Sequence, residues 1–90
     1  MDIVFFDERP ACLAVDCHVV LTTRGCDVKY DDVAGIFWHW RGKILGSGHY
    51  ELDGNWVNCR GTLHRAPSSQ FMEGFWKEGP QRGMWRILLG

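Results

Sequence analysis

Three short stretches of this sequence share one pattern, in which a large aromatic side chain follows a glycine by two residues. The stretches are Gly35-Ile36-Phe37, Gly54-Asn55-Trp56 and Gly74-Phe75-Trp76, and they recur at spacings of 19 and 20 residues. After the first two, an Arg-Gly pair follows at the same offset, as Arg41-Gly42 and Arg60-Gly61. Similarity at a short, nearly fixed period is typical of a repeated supersecondary unit. The pattern predicts a series of β-hairpins.

Alternation of apolar and polar residues predicts where the strands lie. Residues 11–23 alternate over their whole length and predict one long, half-buried strand. Gly42-Lys43 and Asp53-Gly54 are predicted as two-residue hairpin turns, because such turns favour glycine and aspartate at positive φ. The other predicted strands are residues 26–30, 33–41, 44–52, 55–65, 71–77 and 83–89.

These strands predict the fold class. Ninety residues make a single domain, spanning residues 1–90, and no window shows a capped helical stripe. About six to seven strands joined by tight turns form an antiparallel all-β meander, and curling protects the edges of such a small sheet. We therefore expect a strongly curved sheet or a small up-and-down β-barrel. Five Trp and five Phe supply its core.

The two predicted turns also set which residues share a face. They place Phe37, Tyr50, Leu52, Val57 and Cys59 together on an apolar core face. The opposite face combines tryptophan rings with polar groups and is our predicted ligand-binding site. Its residues are Trp38, Trp40, His49, Glu51, Trp56, Asn58 and Arg60. Two alternatives are that the tryptophans pack as core under the terminal strands, or that the register differs by one residue, which exchanges the faces.

The predicted face suits ligand binding better than catalysis. Tryptophan planes beside a few donors and acceptors suit a base, a sugar or another flat ligand. His49 and Glu51 lie two residues apart and form the best candidate for acid–base chemistry, but no nucleophile accompanies them. No two cysteines have zinc-knuckle spacing and no glycine-rich loop precedes a helix, so we expect no metal and no cofactor.

Charge and cysteine content bear on partners and compartment. The formal net charge is −1, and the ten basic residues are scattered along the chain, so we expect no nucleic-acid partner and no membrane partner. No export signal is visible at Met1, which predicts a cytoplasmic protein. In that compartment the four cysteines are expected as free thiols.

Two fragments resemble known families. Residues 72–83 resemble a hairpin of the MORN repeat, with Gly74, Trp76, Gly79 and Gly83 in fitting positions. Gly54-Asn55-Trp56 is similar to the Gly-x-Trp tripeptide of lipocalin-like barrels. Both resemblances cover a minority of the chain, and we carry no function over from either.

The sequence thus predicts a non-enzymatic binding protein that holds a small or flat ligand on an aromatic and polar sheet face. The alternative is a protein–protein interaction module, either a homodimer or a small inhibitor of a larger protein. Such a module would dock through the same aromatic face or through an edge strand.

Overall fold

The computed structural model describes residues 1–89, and they form one sheet of eight strands. No helix in this part of the chain is long and apolar enough to cross a membrane. The strands are β1 (Asp2–Phe5), β2 (His18–Leu21), β3 (Gly25–Asp31), β4 (Phe37–Ile44), β5 (His49–Gly54), β6 (Cys59–His64), β7 (Phe71–Glu78) and β8 (Gln81–Leu88).

The sheet is an antiparallel meander from β2 to β8, and β1 completes it by pairing with β8. Its strand order is β1-β8-β7-β6-β5-β4-β3-β2. Within residues 1–89 the two terminal strands, β1 and β2, do not pair with each other, so the sheet is a strongly curled, open half-barrel. The predicted all-β curved meander is confirmed, with eight strands in place of six to seven.

Aromatic side chains fill the inner face of the half-barrel. Trp40, Trp85 and Met72 are among the most deeply buried residues of the chain. Trp40 packs edge-on against Trp85 with ring centroids 4.9 Å apart. The buried indole of Trp85 donates its N–H to the Thr62 carbonyl oxygen over 2.8 Å, which satisfies its one polar group. A few large rings therefore supply the apolar burial that a chain of this size needs.

Glycines on the inner face allow the sheet to curl around these rings. One row of directly paired positions crosses five strands as Gly42, Leu52, Gly61, Trp76 and Gly83, so small and large residues alternate. A Cβ added at Gly61 would lie 2.9 Å from Cζ2 of Trp85. Glycine in a strand interior permits such close approach and strong coiling.

The two predicted hairpin turns are wrong. Gly42 lies inside β4, directly opposite Leu52, and the chain reverses instead over residues 45–48, where Gly46 and Gly48 have positive φ. Asp53 and Gly54 end β5, and the next reversal covers residues 55–58. These glycines instead allow neighbouring groups to pack closely, and glycine suits both close packing and tight turns.

The predicted long strand over residues 11–23 is reduced to β2. The segment 6–17 instead runs from β1 to β2 across the open side of the half-barrel. Ile3 and Cys12 exchange two backbone hydrogen bonds of 2.8 and 2.9 Å, so this segment covers the outer edge of β1. Cys12, Val15 and Cys17 pack against the core, whereas Leu13 is 69% exposed, so the apolar alternation over these residues does not mark one buried strand face.

Candidate functional site

The fold does not bring the seven predicted site residues onto one face, and that prediction of a shared face is wrong. The actual β4–β5 register is shifted from the predicted one by an odd number of residues. Every β4 side chain therefore lies on the opposite face from the one predicted. Two of the seven lie inside, three outside and two in a turn. Trp38 and Trp40 point inward and are buried, His49, Glu51 and Arg60 lie on the outer face, and Trp56 and Asn58 belong to the turn over residues 55–58.

The predicted core face is partly correct. Tyr50, Leu52 and Cys59 are buried together as predicted, because the β5–β6 register keeps its parity. Phe37 and Val57, in contrast, are exposed by 50% and 86%. Phe37 moves outward because the actual register places the odd-numbered residues of β4 on the outer face, and Val57 lies in the turn.

The inner tryptophans line a cavity at one end of the half-barrel, which we call the end pocket. Its volume is about 370 Å³. Three chain segments surround its mouth: residues 9–15 of the connecting segment, the β3–β4 turn over residues 32–36, and the β7–β8 turn around Gln81. The pocket thus lies between β1, the connecting segment and these two turns. Its lining is mostly apolar, and the polar side chains are gathered near the turns.

Stacked rings form one wall of the end pocket. The rings of Tyr30, Trp38 and Trp40 are nearly parallel, with interplanar angles of 13° and 10° and centroid separations of 6.4 and 5.7 Å between successive rings. The Trp40 indole donates its N–H to the phenol oxygen of Tyr30 over 3.2 Å. Burial raises the pKa of the Tyr30 phenol far above its ordinary value, so the hydroxyl stays neutral. Trp76 and Phe5, packed edge to face, belong to the rest of the lining.

Asp32 fixes this wall to the β3–β4 turn. Its Oδ2 atom accepts the indole N–H of Trp38 over 3.0 Å, and Oδ1 accepts the backbone N–H groups of Ala34 and Ile36. Burial raises the pKa of the carboxyl, but the three donated hydrogen bonds outweigh that effect and leave the pKa below its ordinary value. Asp32 is therefore an ionised group at the mouth of the pocket.

Glu78, at the end of β7, supplies a second carboxylate to the pocket lining. Burial raises its pKa, the nearby Arg9 lowers it, and repulsion from Asp32 raises it again. The Arg9 guanidinium is itself paired with Asp7 over 2.8 Å and lies 4.0 Å above the Phe5 ring centroid. The mouth therefore combines two carboxylates with one cation that already has its own partner.

The remaining predicted residues have other surroundings. Trp56 is half-exposed and contacts Trp38 edge-on, with centroids 6.3 Å apart, but it does not line the pocket. His49 Nε2 lies 4.0 Å from Glu51 Oε1, which is beyond hydrogen-bond distance, and its ring packs instead against His64. Within residues 1–89, no three histidine, cysteine or carboxylate side chains converge as metal ligands do.

Among the residues that line the end pocket, sequence reasoning identified only Trp38 and Trp40, and those it missed include Tyr30, Asp32, Trp76 and Glu78. Trp76 belongs to the third Gly-x-aromatic unit, so the repeat itself held a signal for it. Asp31-Asp32 directly follows the predicted strand over residues 26–30 and is typical of a turn, although a carboxylate beside a strand of tryptophans is an available indole acceptor. Tyr30 lies on β3 directly opposite Trp38 on β4, so the pairing of two strands that are neighbours in sequence held a signal for it. Glu78 is far from β4 in sequence, and only the curl of the sheet brings it to the pocket. No protein-family model, curated protein or solved structure compared with the chain matches it.

Proposed function

We propose that this chain is a non-enzymatic binding protein whose end pocket holds a small, flat ligand carrying a cationic group. The observation that supports the proposal best is the composition of the pocket: stacked aromatic rings form its wall, and the carboxylates of Asp32 and Glu78 lie at its mouth. The proposal places the protein in the cytoplasm, where its four unpaired cysteines are kept reduced.

The size and chemistry of the pocket support this ligand class. A volume of about 370 Å³ falls within the range of small-molecule sites, roughly 300–1,000 Å³. Aromatic faces attract cations through their quadrupoles, and nearby carboxylates add to that attraction. Arg9 over Phe5 already makes such a contact at the mouth. A flat ligand can lie along the stacked rings while its ammonium group reaches Glu78.

Three probes of similar shape and different charge test the proposal. Benzyltrimethylammonium, neutral neopentylbenzene and anionic phenylacetate are titrated while tryptophan fluorescence is recorded. We expect a saturable change with the cation, a weaker one with the neutral probe and none with the anion. Glu78→Gln should reduce the preference for the cation, whereas Glu73→Gln, on the outer face, should leave it unchanged. Equal responses to all three probes would contradict the proposal.

The second candidate function, docking on a partner protein, is supported by the free edge of β2. This strand pairs only with β3, so its other edge presents unpaired backbone groups within the described chain. Docking through the aromatic face has less support, because Trp38 and Trp40 are buried. Light scattering across a range of concentrations tests the homodimer form, and a strict monomer would remove it. A Leu21→Lys variant should weaken any dimer that uses this edge.

A further inference from the structure

The outer face of the sheet carries a second concave feature, which we call the outer groove. It has a volume of about 910 Å³ and runs over β4 to β8. Five of the ten lysines and arginines of the chain line it, namely Arg41, Lys43, Arg60, Lys77 and Arg82. Two acidic side chains, Glu51 and Asp53, also line it. Basic residues that are scattered in the sequence are therefore gathered by the register of the strands.

Three of these cations form a ladder of like charges. Arg60 on β6 directly opposes Lys77 on β7, and Lys77 directly opposes Arg82 on β8. Neighbouring strands lie about 4.8 Å apart, and like charges in directly opposed positions destabilise a sheet. No salt bridge within 4.0 Å involves any of the three among residues 1–89. An anionic ligand would relieve this repulsion, which makes the ladder a candidate anion site.

Exposed aromatic rings lie beside the ladder. Phe6 and Phe75 both line the outer groove, and they are 58% and 55% exposed. Their rings are 6.4 Å apart in an edge-to-face arrangement. Proteins that bind single-stranded nucleic acid combine basic side chains along the phosphate backbone with aromatic rings that stack on the bases.

The shape of the surface favours one kind of polyanion over the others. A flat lipid surface fits poorly into a concave groove in which β5, between β4 and β6, carries Glu51 and Asp53, with Asp53 directly opposite Arg41 and Arg60. An acidic peptide has no flat bases to cover Phe6 and Phe75. We propose that the outer groove binds single-stranded nucleic acid. Its phosphates contact Arg60, Lys77 and Arg82, and its bases stack on Phe6 and Phe75. The expectation of no nucleic-acid partner depended on the net charge of −1 and on the scattering of the basic residues along the sequence, and the folded sheet gathers five of those residues in one groove.

Fluorescence anisotropy with a short, labelled oligothymidylate tests this proposal. We expect binding at low salt whose affinity falls as salt rises, with a log–log slope of about −2 for three phosphate contacts. Lys77→Gln should weaken binding and reduce the slope by about 0.7. Lys29→Gln makes the same charge change on the outer face of β3, outside the groove, and should leave affinity and slope unchanged.

Aromatic variants separate base stacking from simple charge attraction. Phe75→Leu should weaken binding about tenfold, as expected for loss of one stacked base. Phe37→Leu, at a half-exposed ring outside the groove, should have no effect. A duplex of the same length should bind more weakly than the single strand, because its bases are already stacked. Circular dichroism melting of each variant checks that the fold is retained.

Several results would overturn the proposal. One is the absence of oligonucleotide binding at low salt, and another is equal loss of affinity in the Lys77 and Lys29 variants. Binding to phosphatidylserine vesicles without oligonucleotide binding would assign the groove to a lipid surface. Displacement of the oligonucleotide by poly-glutamate at equal charge concentration would show that stacking contributes nothing.

Discussion

The indole Nε1 of Trp38 donates a 3.0 Å hydrogen bond to Oδ2 of Asp32, and this contact joins the aromatic wall of the end pocket to the β3–β4 turn. The same carboxylate accepts two backbone N–H groups of that turn. One side chain thus orders the turn, orients the tryptophan and places negative charge at the mouth. Hydrogen bonds to an ionised acceptor are stronger than those to a neutral one.

Replacing Asp32 by asparagine should destabilise the fold by about 1 to 2 kcal/mol at neutral pH, because an amide cannot accept all three N–H groups. Folding lowers the pKa of this carboxyl below its unfolded value of 3.8, so its stabilisation is present above pH 3.8. That stabilisation is lost as the pH falls through the folded pKa, and the gap between wild type and variant should close there. Urea unfolding at a series of pH values measures it.

The neighbouring Asp31→Asn variant is the control for this experiment. Asp31 is exposed, and its replacement should change the free energy of unfolding little at any pH. A pH-independent gap for the Asp32 variant, or equal gaps for both variants, would contradict the role assigned to the Asp32 carboxylate.

Replacing Glu78 by glutamine should stabilise the folded protein at neutral pH. Folding raises the pKa of Glu78 above its ordinary value of 4.5, mainly through burial. Stability from this group is therefore complete below pH 4.5 and is lost as the pH rises through the folded pKa. Glutamine never ionises, so the variant should gain about 0.5 kcal/mol in free energy of unfolding at neutral pH. The gain is small because solvent screens a partly exposed group. Thermal melts at pH 4 and pH 7 test this, and a destabilised variant at pH 7 would contradict it.

Replacing Lys77 by glutamate should also stabilise the sheet, because it inserts a negative charge between Arg60 and Arg82. Each opposed pair of unlike charges contributes about 0.2 to 1 kcal/mol, and the repulsion present in the wild type is removed. Lys77→Gln should give a smaller gain, since it only removes repulsion. The gain should shrink at high salt. Denaturation of both variants at low and high salt measures it, and a less stable glutamate variant would contradict the charge ladder.

Replacing Gly61 by alanine should destabilise the fold by about 1 to 3 kcal/mol, because the new Cβ overpacks the core. It would lie 2.9 Å from Cζ2 of Trp85. Trp85→Phe removes that part of the ring, so the cost of the alanine should be smaller in the Trp85→Phe background. A double-mutant cycle on unfolding free energies measures this coupling. Purely additive costs would show that Gly61 does not accommodate the Trp85 ring.

Much of the architecture could be predicted from alternation and turn residues alone. The last hairpin, β7 and β8, lies close to its predicted bounds because its polar turn is flanked by two strongly alternating strands. The β4–β5 hairpin was harder, because Gly42 is suited equally to a tight turn and to packing against Leu52. The predicted turn would pair Arg41 with Ile44, whereas Arg41 pairs with Asp53, nine positions further along the chain. A register shift by an odd number of residues exchanges faces, and this one moved Trp38 and Trp40 from the predicted polar face to the interior.

The end pocket could be predicted only in part, because segments that are distant in sequence meet there only in the folded sheet. Trp38 and Trp40 were identified from their own strand. Tyr30 joins them as the direct β3–β4 partner of Trp38. Glu78 and the segment over residues 6–17 join them only through the curl of the sheet, and neither leaves a local pattern. The outer groove was not predicted either, since its cations lie on four different strands and meet only in the assembled sheet.

The binding of a cationic aromatic probe in the end pocket is tested most directly by the indole N–H resonances of ¹⁵N-labelled protein. Benzyltrimethylammonium should shift the Nε1–H signals of Trp38, Trp40 and Trp76 along saturable curves with one shared dissociation constant. Trp85, which does not line the pocket, should shift much less. The absence of saturable shifts at these three indoles, or equal shifts at all five, would contradict the proposed binding function.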